Sequence, residues 1–191
     1  MSQTHERIID RFHLAAKQAG LEYFIIGGFA ASYWGTARFT ADIDYVIEQS
    51  AFENAKRVLA ALNYTLLFIH PRGSFAHFAS STEEAFRIDL MLVDTTTWHK
   101  LVQGGERGDF GGPEAYPVVA LMHLIAMKLH ASVQPDRTEF RKDLTDIVEV
   151  MQVQNISLEQ LEQAGILERY GNELRITELK QLLDEKRPKL K

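Results

Sequence analysis

The stretch Ile25-Ile-Gly-Gly-Phe-Ala-Ala-Ser-Tyr-Trp-Gly-Thr-Ala-Arg-Phe-Thr-Ala-Asp-Ile-Asp-Tyr-Val-Ile47 sets a glycine pair at the end of an apolar run and, one helix later, two aspartates one residue apart. In an extended strand alternate side chains share a face, so Asp42 and Asp44 project together while Ile43 and Tyr45 point the other way. Two neighbouring carboxylates repel, and one takes a proton unless a cation intervenes. A hard divalent ion such as Mg2+ keeps both ionised and ligates through oxygen. Gly27 and Gly28 follow Tyr23-Phe-Ile-Ile26 and open a predicted helix, so their backbone N–H groups can approach phosphate oxygens with no side chain between. The two features together predict a site for metal-bound phosphate.

Working outward, apolar residues at helical spacing (Ile8, Ile9, Phe12, Ala15, Ala16) predict a helix over residues 5–19, stopped by Gly20. A strand over Tyr23–Ile26, a helix over Gly28–Trp34 ending near Gly35, and a strand over Ala41–Glu48 follow. Residues 52–62 return to helical periodicity, 64–69 are strand-like, and 75–79 form a candidate strand after the turn Pro71-Arg-Gly-Ser74. The clearest later strand is Phe86-Arg-Ile-Asp-Leu-Met-Leu-Val93, whose alternation puts Arg87, Asp89 and Met91 on one face. If it lies beside Ala41–Glu48 with matching faces, Asp89 joins Asp42 and Asp44 in one acidic cluster; the sequence leaves that adjacency open. Asp94, at the strand's end before three threonines, is expected to be an N-cap or turn residue.

Glycine and acid concentrate in Gly104-Gly-Glu-Arg-Gly-Asp-Phe-Gly-Gly-Pro113, read as a loop, since it lacks the Lys-Ser/Thr ending of a phosphate-cradling P-loop. From Val118 the pattern is helical, with breaks at Ser132–Asp136 and Gln154–Ser157, and Ser157 with Gln160 has the spacing of a capping box. The expected architecture is an α+β first part over residues 1–115 and a helical second part over 116–191.

Composition narrows the function. The 191 residues include no cysteine, which removes disulfides and thiolate metal sites and fits a reducing cytosol. A net charge of −5 argues against coating nucleic acid by bulk electrostatics, and the basic run Lys186–Lys191 reads as a solvated helix end. The N-terminus lacks a basic region followed by an apolar run, and no segment has about 18 consecutive apolar residues; a cytoplasmic chain with no membrane partner is expected. The histidines show no HxxxH or HExxH spacing and no Gly-x-Ser-x-Gly occurs, so zinc and serine hydrolases are unsupported. His123 and His130 fall seven apart on one helix face, as core or interface residues. Trp34, Phe39 and Tyr45 could stack on a base, with core packing expected for at least two of them.

These motifs resemble the nucleotidyltransferase superfamily of polymerase-beta-like fold, whose signature is a strand, a Gly-Gly or Gly-Ser turn, a helix and Asp-x-Asp on the next strand. Here Ile26-Gly-Gly28 and Asp42-Ile-Asp44 are separated by 13 residues, and Gly35-Thr-Ala-Arg38-Phe-Thr40-Ala-Asp42-Ile-Asp44 looks like the Gly-x-x-Arg-x-Thr-x-Asp-x-Asp form of AbiEii-like and related minimal nucleotidyltransferases. Lys128 and Arg141-Lys-Asp143-Leu-Thr-Asp146 look like the family's lysine and its following Arg-x-x-Asp type helix. The bottom-up reading of the latter is ordinary helix charge: Asp143 and Asp146 share a face, and Lys128 on an amphipathic helix can simply face water.

The resemblance implies an α+β core, a mixed sheet flanked by helices, with a helical C-terminal part closing a nucleotide cleft. It implies transfer of a nucleoside monophosphate from a Mg2+-bound nucleoside triphosphate to an acceptor hydroxyl, with two ions. Asp42 and Asp44 would hold the metal on the triphosphate, and Asp89 would complete a second metal site and activate the acceptor. Gly27 and Gly28 would face the phosphates, Arg38 and Lys128 would neutralise phosphate charge, and Thr40 would hydrogen-bond near the ligands. The AbiEii-like form implies RNA or protein as acceptor, in the manner of toxin–antitoxin systems, with an antitoxin as partner. An aminoglycoside- or lincosamide-type antibiotic nucleotidyltransferase is the alternative, and an acidic surface suits a polycationic drug. A non-catalytic nucleotide-binding or partner-binding protein is the third reading.

Overall fold

The computed structural model describes residues 7–36, 39–80 and 86–186. They fall into two units, one within Met1–Tyr33 and Arg38–Ala120, the other within Trp34–Ala37 and Leu121–Lys191. The expected boundary after residue 115 falls just ahead of a strand, Tyr116–Val118, that belongs to the sheet of the first unit.

In the first unit the helix α1 (Ile8–Gln18) leads to a short strand β1 (Phe24–Ile25), the helix α2 (Gly27–Trp34) and the strand β2 (Asp42–Glu48). Then come α3 (Phe52–Ala61), β3 (Tyr64–Ile69), β4 (Phe75–Ser80), β5 (Arg87–Val93), α4 (Thr95–Gly104), β6 (Glu106–Gly108) and β7 (Tyr116–Val118). The seven strands form one mixed sheet in the order β3-β4-β5-β2-β1-β7-β6. β2 runs parallel to β5 and β1 parallel to β7, while the other neighbours are antiparallel.

Alternation explains the layering. Along β2 the residues Ile43, Tyr45 and Ile47 are buried, and Asp42, Asp44 and Glu48 are only partly covered. The buried side meets α1: Phe12 stacks on Tyr45 with ring centroids 4.1 Å apart, and Tyr23 meets Tyr45 edge-on at 5.1 Å. Burying such large side chains contributes about 1.5–3 kcal/mol each, so this face is the core and the aspartate face is left for other use.

Of two elements after β5, the first fulfils the N-cap reading of Asp94 and the second departs from the expectation. Residues 95–104 form a helix, capped by Asp94, whose carboxylate accepts the Thr97 N–H at 2.8 Å. Its buried Trp98 and Leu101, three apart, are the helical signal within that stretch. The glycine-rich run read as a loop contains β6, held by pairing with β7, so tertiary pairing overrides the weak local preference.

The second unit is helical: α5 (Leu121–Ser132), α6 (Phe140–Val153), α7 (Leu158–Gln163), α8 (Ile166–Tyr170) and α9 (Glu173–Glu185). On α6, Leu144, Ile147, Val148 and Met151 recur at helical spacing and are buried with Leu129, Leu161 and Leu179 in one core. The predicted capping box is formed: Ser157 accepts the Gln160 N–H, and the Gln160 side chain accepts the Ser157 N–H.

Candidate active site

The parallel pairing of β2 with β5 puts Asp42 opposite Arg87 and Asp44 opposite Asp89. Cross-strand partners share a face of the sheet, so the three aspartates lie together on the face away from α1. The adjacency that the sequence left open is therefore present.

Gly27 closes against this face. Its φ is +63°, and a Cβ there would stand 1.9 Å from Asp44 Oδ2, so no other residue fits without displacing that carboxylate. The preceding Ile26 N–H donates to the Asp44 carbonyl at 3.0 Å, which fixes the start of α2 beside β2. The first N–H groups of a helix lack intrahelical acceptors, so Gly27 and Gly28 present donors next to a carboxylate cluster. Thr40 supports the approach to the strand by donating its hydroxyl to the Asp42 carbonyl at 3.2 Å.

Two residues outside the sequence-derived set hold the outer carboxylates. Arg87 Nε donates to Asp42 Oδ1 at 3.0 Å, and the hydrogen bond and charge of Asp42 raise the guanidinium pKa above its ordinary value. His77, paired with Asp89 across β4 and β5, places Nδ1 2.6 Å from Asp89 Oδ1. The sequence marks residues 75–79 as a candidate strand, but only strand pairing reveals the carboxylate that His77 meets.

Among the described residues, no three His, Cys, Asp or Glu side chains converge as a ready-made metal cluster. Asp42 is engaged by Arg87 and Asp89 by His77. The donor set nonetheless fits Mg2+, which takes hard oxygen ligands and is commonly held by one or two carboxylates, with phosphate oxygens and water completing the octahedron. Asp44 and Asp89 in register supply two carboxylates on a shared face.

Arg38 lies outside the described residues. Lys128 belongs to the second unit, where it is buried: its Nζ is 2.6 Å from Asp146 Oδ2 and 3.6 Å from Asp143 Oδ1, while Arg137 binds the other side of Asp143 at 2.8 Å. Its position in the apolar run Leu121-Met-His-Leu-Ile-Ala-Met-Lys128 was the signal for burial. Of the three candidate stacking rings, Tyr45 is fully buried and Trp34 packs on the helical core. Phe39 is 81% exposed. His123 makes no Nδ1 hydrogen bond within the described residues, and burial lowers its pKa, whereas His130 is exposed. A cavity of about 320 Å³ in the first unit, lined by His13, Lys17, Tyr23, Trp98 and Arg107 among others, includes none of the three aspartates.

Comparison with known proteins accords with this geometry. Residues 10–191 match the family described as "Nucleotidyl transferase AbiEii toxin, Type IV TA system", and the chain belongs to that family. Among solved structures, the antibiotic-resistance factor ANT(2″)-Ia in complex with adenylyl-2″-tobramycin has a TM-score of 0.66 at 16% identity, covering 86% of this chain and 97% of that one. An antigenic nucleotidyltransferase-like protein from Paracoccidioides brasiliensis has a TM-score of 0.55 at 13% identity, covering 93% of this chain and 90% of that one. At these identities the likeness is one of fold, the expected polymerase-beta-like nucleotidyltransferase fold. No curated protein matches the sequence. The family makes the chain an enzyme, a nucleotidyltransferase, which acts by moving a nucleoside monophosphate from a nucleoside triphosphate.

Proposed function

We propose that this enzyme transfers the nucleoside monophosphate of a Mg2+-bound triphosphate to an acceptor hydroxyl, releasing pyrophosphate, with Asp42, Asp44 and Asp89 as its catalytic carboxylates. The register pair Asp44 and Asp89, closed on one side by Gly27, carries this reading. Asp42 and Asp44 would hold the ion on the triphosphate, and Asp89 would serve a second ion and accept the proton of the acceptor hydroxyl. Divalent ions held there by Asp42, Asp44 and Asp89 would supply neutralisation of phosphate charge and stabilisation of the attacking and leaving oxygens. The N–H groups of Gly27 and Gly28 would bind β- and γ-phosphate oxygens, and Arg38 would offset the leaving-group charge. Thr40 would hold the chain leading into Asp42.

The family's description as a toxin of a type IV TA system supports a place in a toxin–antitoxin pair with an antitoxin as partner; an RNA or protein acceptor and a cytoplasmic setting belong to the same reading through the motif resemblance. A second reading, an aminoglycoside acceptor, is favoured by two observations: the fold likeness to a structure holding adenylyl-2″-tobramycin, and a net charge of −5 suited to a polycation.

Thermal shift with each triphosphate, with and without Mg2+, tests the donor. A ligand at 100 times its Kd stabilises by about 2.7 kcal/mol, which raises the midpoint by several degrees. Absence of any Mg2+-dependent rise would remove the triphosphate reading. Labelled triphosphate offered in parallel with total RNA, lysate protein and an aminoglycoside panel identifies the acceptor by which pool takes the label.

A further inference from the structure

Four side chains line up across four neighbouring strands. Phe68 on β3 pairs with His77 on β4, His77 with Asp89 on β5, and Asp89 with Asp44 on β2, so one row crosses the face from the sheet's edge strand to the candidate site. His77 is fixed within it from several sides. Its ring stacks on Phe68 at 5.7 Å and 28°, and meets Phe75 edge-on at 5.0 Å and 69°. Its Nδ1 lies 2.6 Å from Asp89 Oδ1. An ionised carboxylate only accepts hydrogen bonds, so Nδ1 is the donor.

We propose that His77 is a positioning residue for catalysis: held by Phe68 and Phe75, it donates Nδ1–H to Asp89 Oδ1 and so fixes the carboxylate that serves the cation and the acceptor. A carboxylate side chain rotates about two bonds, and a charge-assisted hydrogen bond on one oxygen removes much of that freedom. With Oδ1 committed to His77, Oδ2 is left as the oxygen for the ion or the acceptor proton. Partners that orient metal ligands in this way typically change cation affinity or rate by about 10–100-fold when removed. The proposal rests on the reading of Asp89 as a ligand.

The test separates the hydrogen bond from the ring and from the assignment of Asp89. Mn2+ affinity is measured by calorimetry on the full chain with a non-hydrolysable ATP analogue, for the wild type, Asp89→Asn, His77→Phe and His77→Asn, with thermal midpoints recorded in parallel. His77→Phe keeps the stacked ring without the donor, and His77→Asn keeps an N–H donor near the Nδ1 position. The expected result is loss of Mn2+ affinity in Asp89→Asn, a loss of about 10-fold or more in His77→Phe, and substantial recovery in His77→Asn, with midpoints near wild type. Wild-type affinity in Asp89→Asn would overturn the ligand assignment itself. Loss in Asp89→Asn with wild-type affinity in His77→Phe, or equal loss in both His77 variants, would overturn the positioning role alone.

Discussion

Asp44 and Asp89 stand directly opposite each other on two adjacent parallel strands, although 45 positions separate them in the chain. The pairing brings together charges that would repel in isolation, on the face of the sheet that α1 leaves uncovered. Such a juxtaposition is tolerated where a cation or hydrogen-bond donors compensate it. Here His77 donates to Asp89, and the start of α2 lies against Asp44.

Asp44→Asn is expected to abolish nucleotidyl transfer while leaving the fold intact. Asp44 lies on the partly exposed face of β2, so its contribution to the core is small, whereas an amide cannot supply the anionic oxygen that Mg2+ favours. Transfer rate and thermal midpoint measured together decide the matter. A variant retaining most of its rate would show that Asp44 does not hold the ion.

Gly27→Ala is expected to damage both stability and the site. A left-handed φ costs a non-glycine residue about 1–2 kcal/mol, and the new Cβ would also collide with the Asp44 carboxylate. The midpoint should drop by several degrees and Mg2+-dependent triphosphate binding should weaken in the same variant. Unchanged values for both would contradict the close approach.

The buried pair of Lys128 and Asp146 predicts strong non-additivity. Lys128→Met removes the cation that lies 2.6 Å from the buried Asp146 carboxylate, with a loss of about 3–5 kcal/mol typical of breaking a buried pair. Replacing both, Lys128→Met with Asp146→Leu, should destabilise less than the two single losses added together, because the buried carboxylate is removed along with its lysine and Asp143 keeps Arg137. Urea unfolding of the single and double variants measures this, and additive losses would argue that the lysine is not held by Asp146.

His123 predicts part of the acid sensitivity of the second unit. Burial depresses its folded-state pKa below the unfolded value of about 6.5. The unfolded chain therefore binds the proton first, and the resulting stability is fully present above about pH 6.5 and lost as pH falls through the folded value. His123→Leu should show a shallower fall of thermal midpoint between about pH 7 and pH 5 than the wild type, since this linkage is removed. Parallel curves for the two proteins would assign the acid sensitivity to other groups.

Much of the fold was legible because periodicity is local. The alternation in Asp42–Glu48 and Arg87–Val93 marks which residues share a face, and the capping pair Ser157 and Gln160 marks the start of α7. Asp94 is the cap its sequence context suggests, and Trp98 and Leu101, three apart on the buried side, carry the helical period of Thr95–Gly104. The strand Glu106–Gly108 had almost no local signal: its order comes from Tyr116–Val118, across a glycine-rich connection.

The sequence by itself determined the glycine turn, the spacing of Asp42 and Asp44, and the strand carrying Asp89, because each depends on residues within a few positions of one another. Only the tertiary structure decided that Asp89 stands beside Asp44, that His77 and Arg87 take the outer carboxylates, and that Lys128 is held by Asp146 and Asp143. Strand neighbours and buried partners are chosen by packing across distant segments, and the period of a side-chain pattern carries no record of which segment will lie alongside.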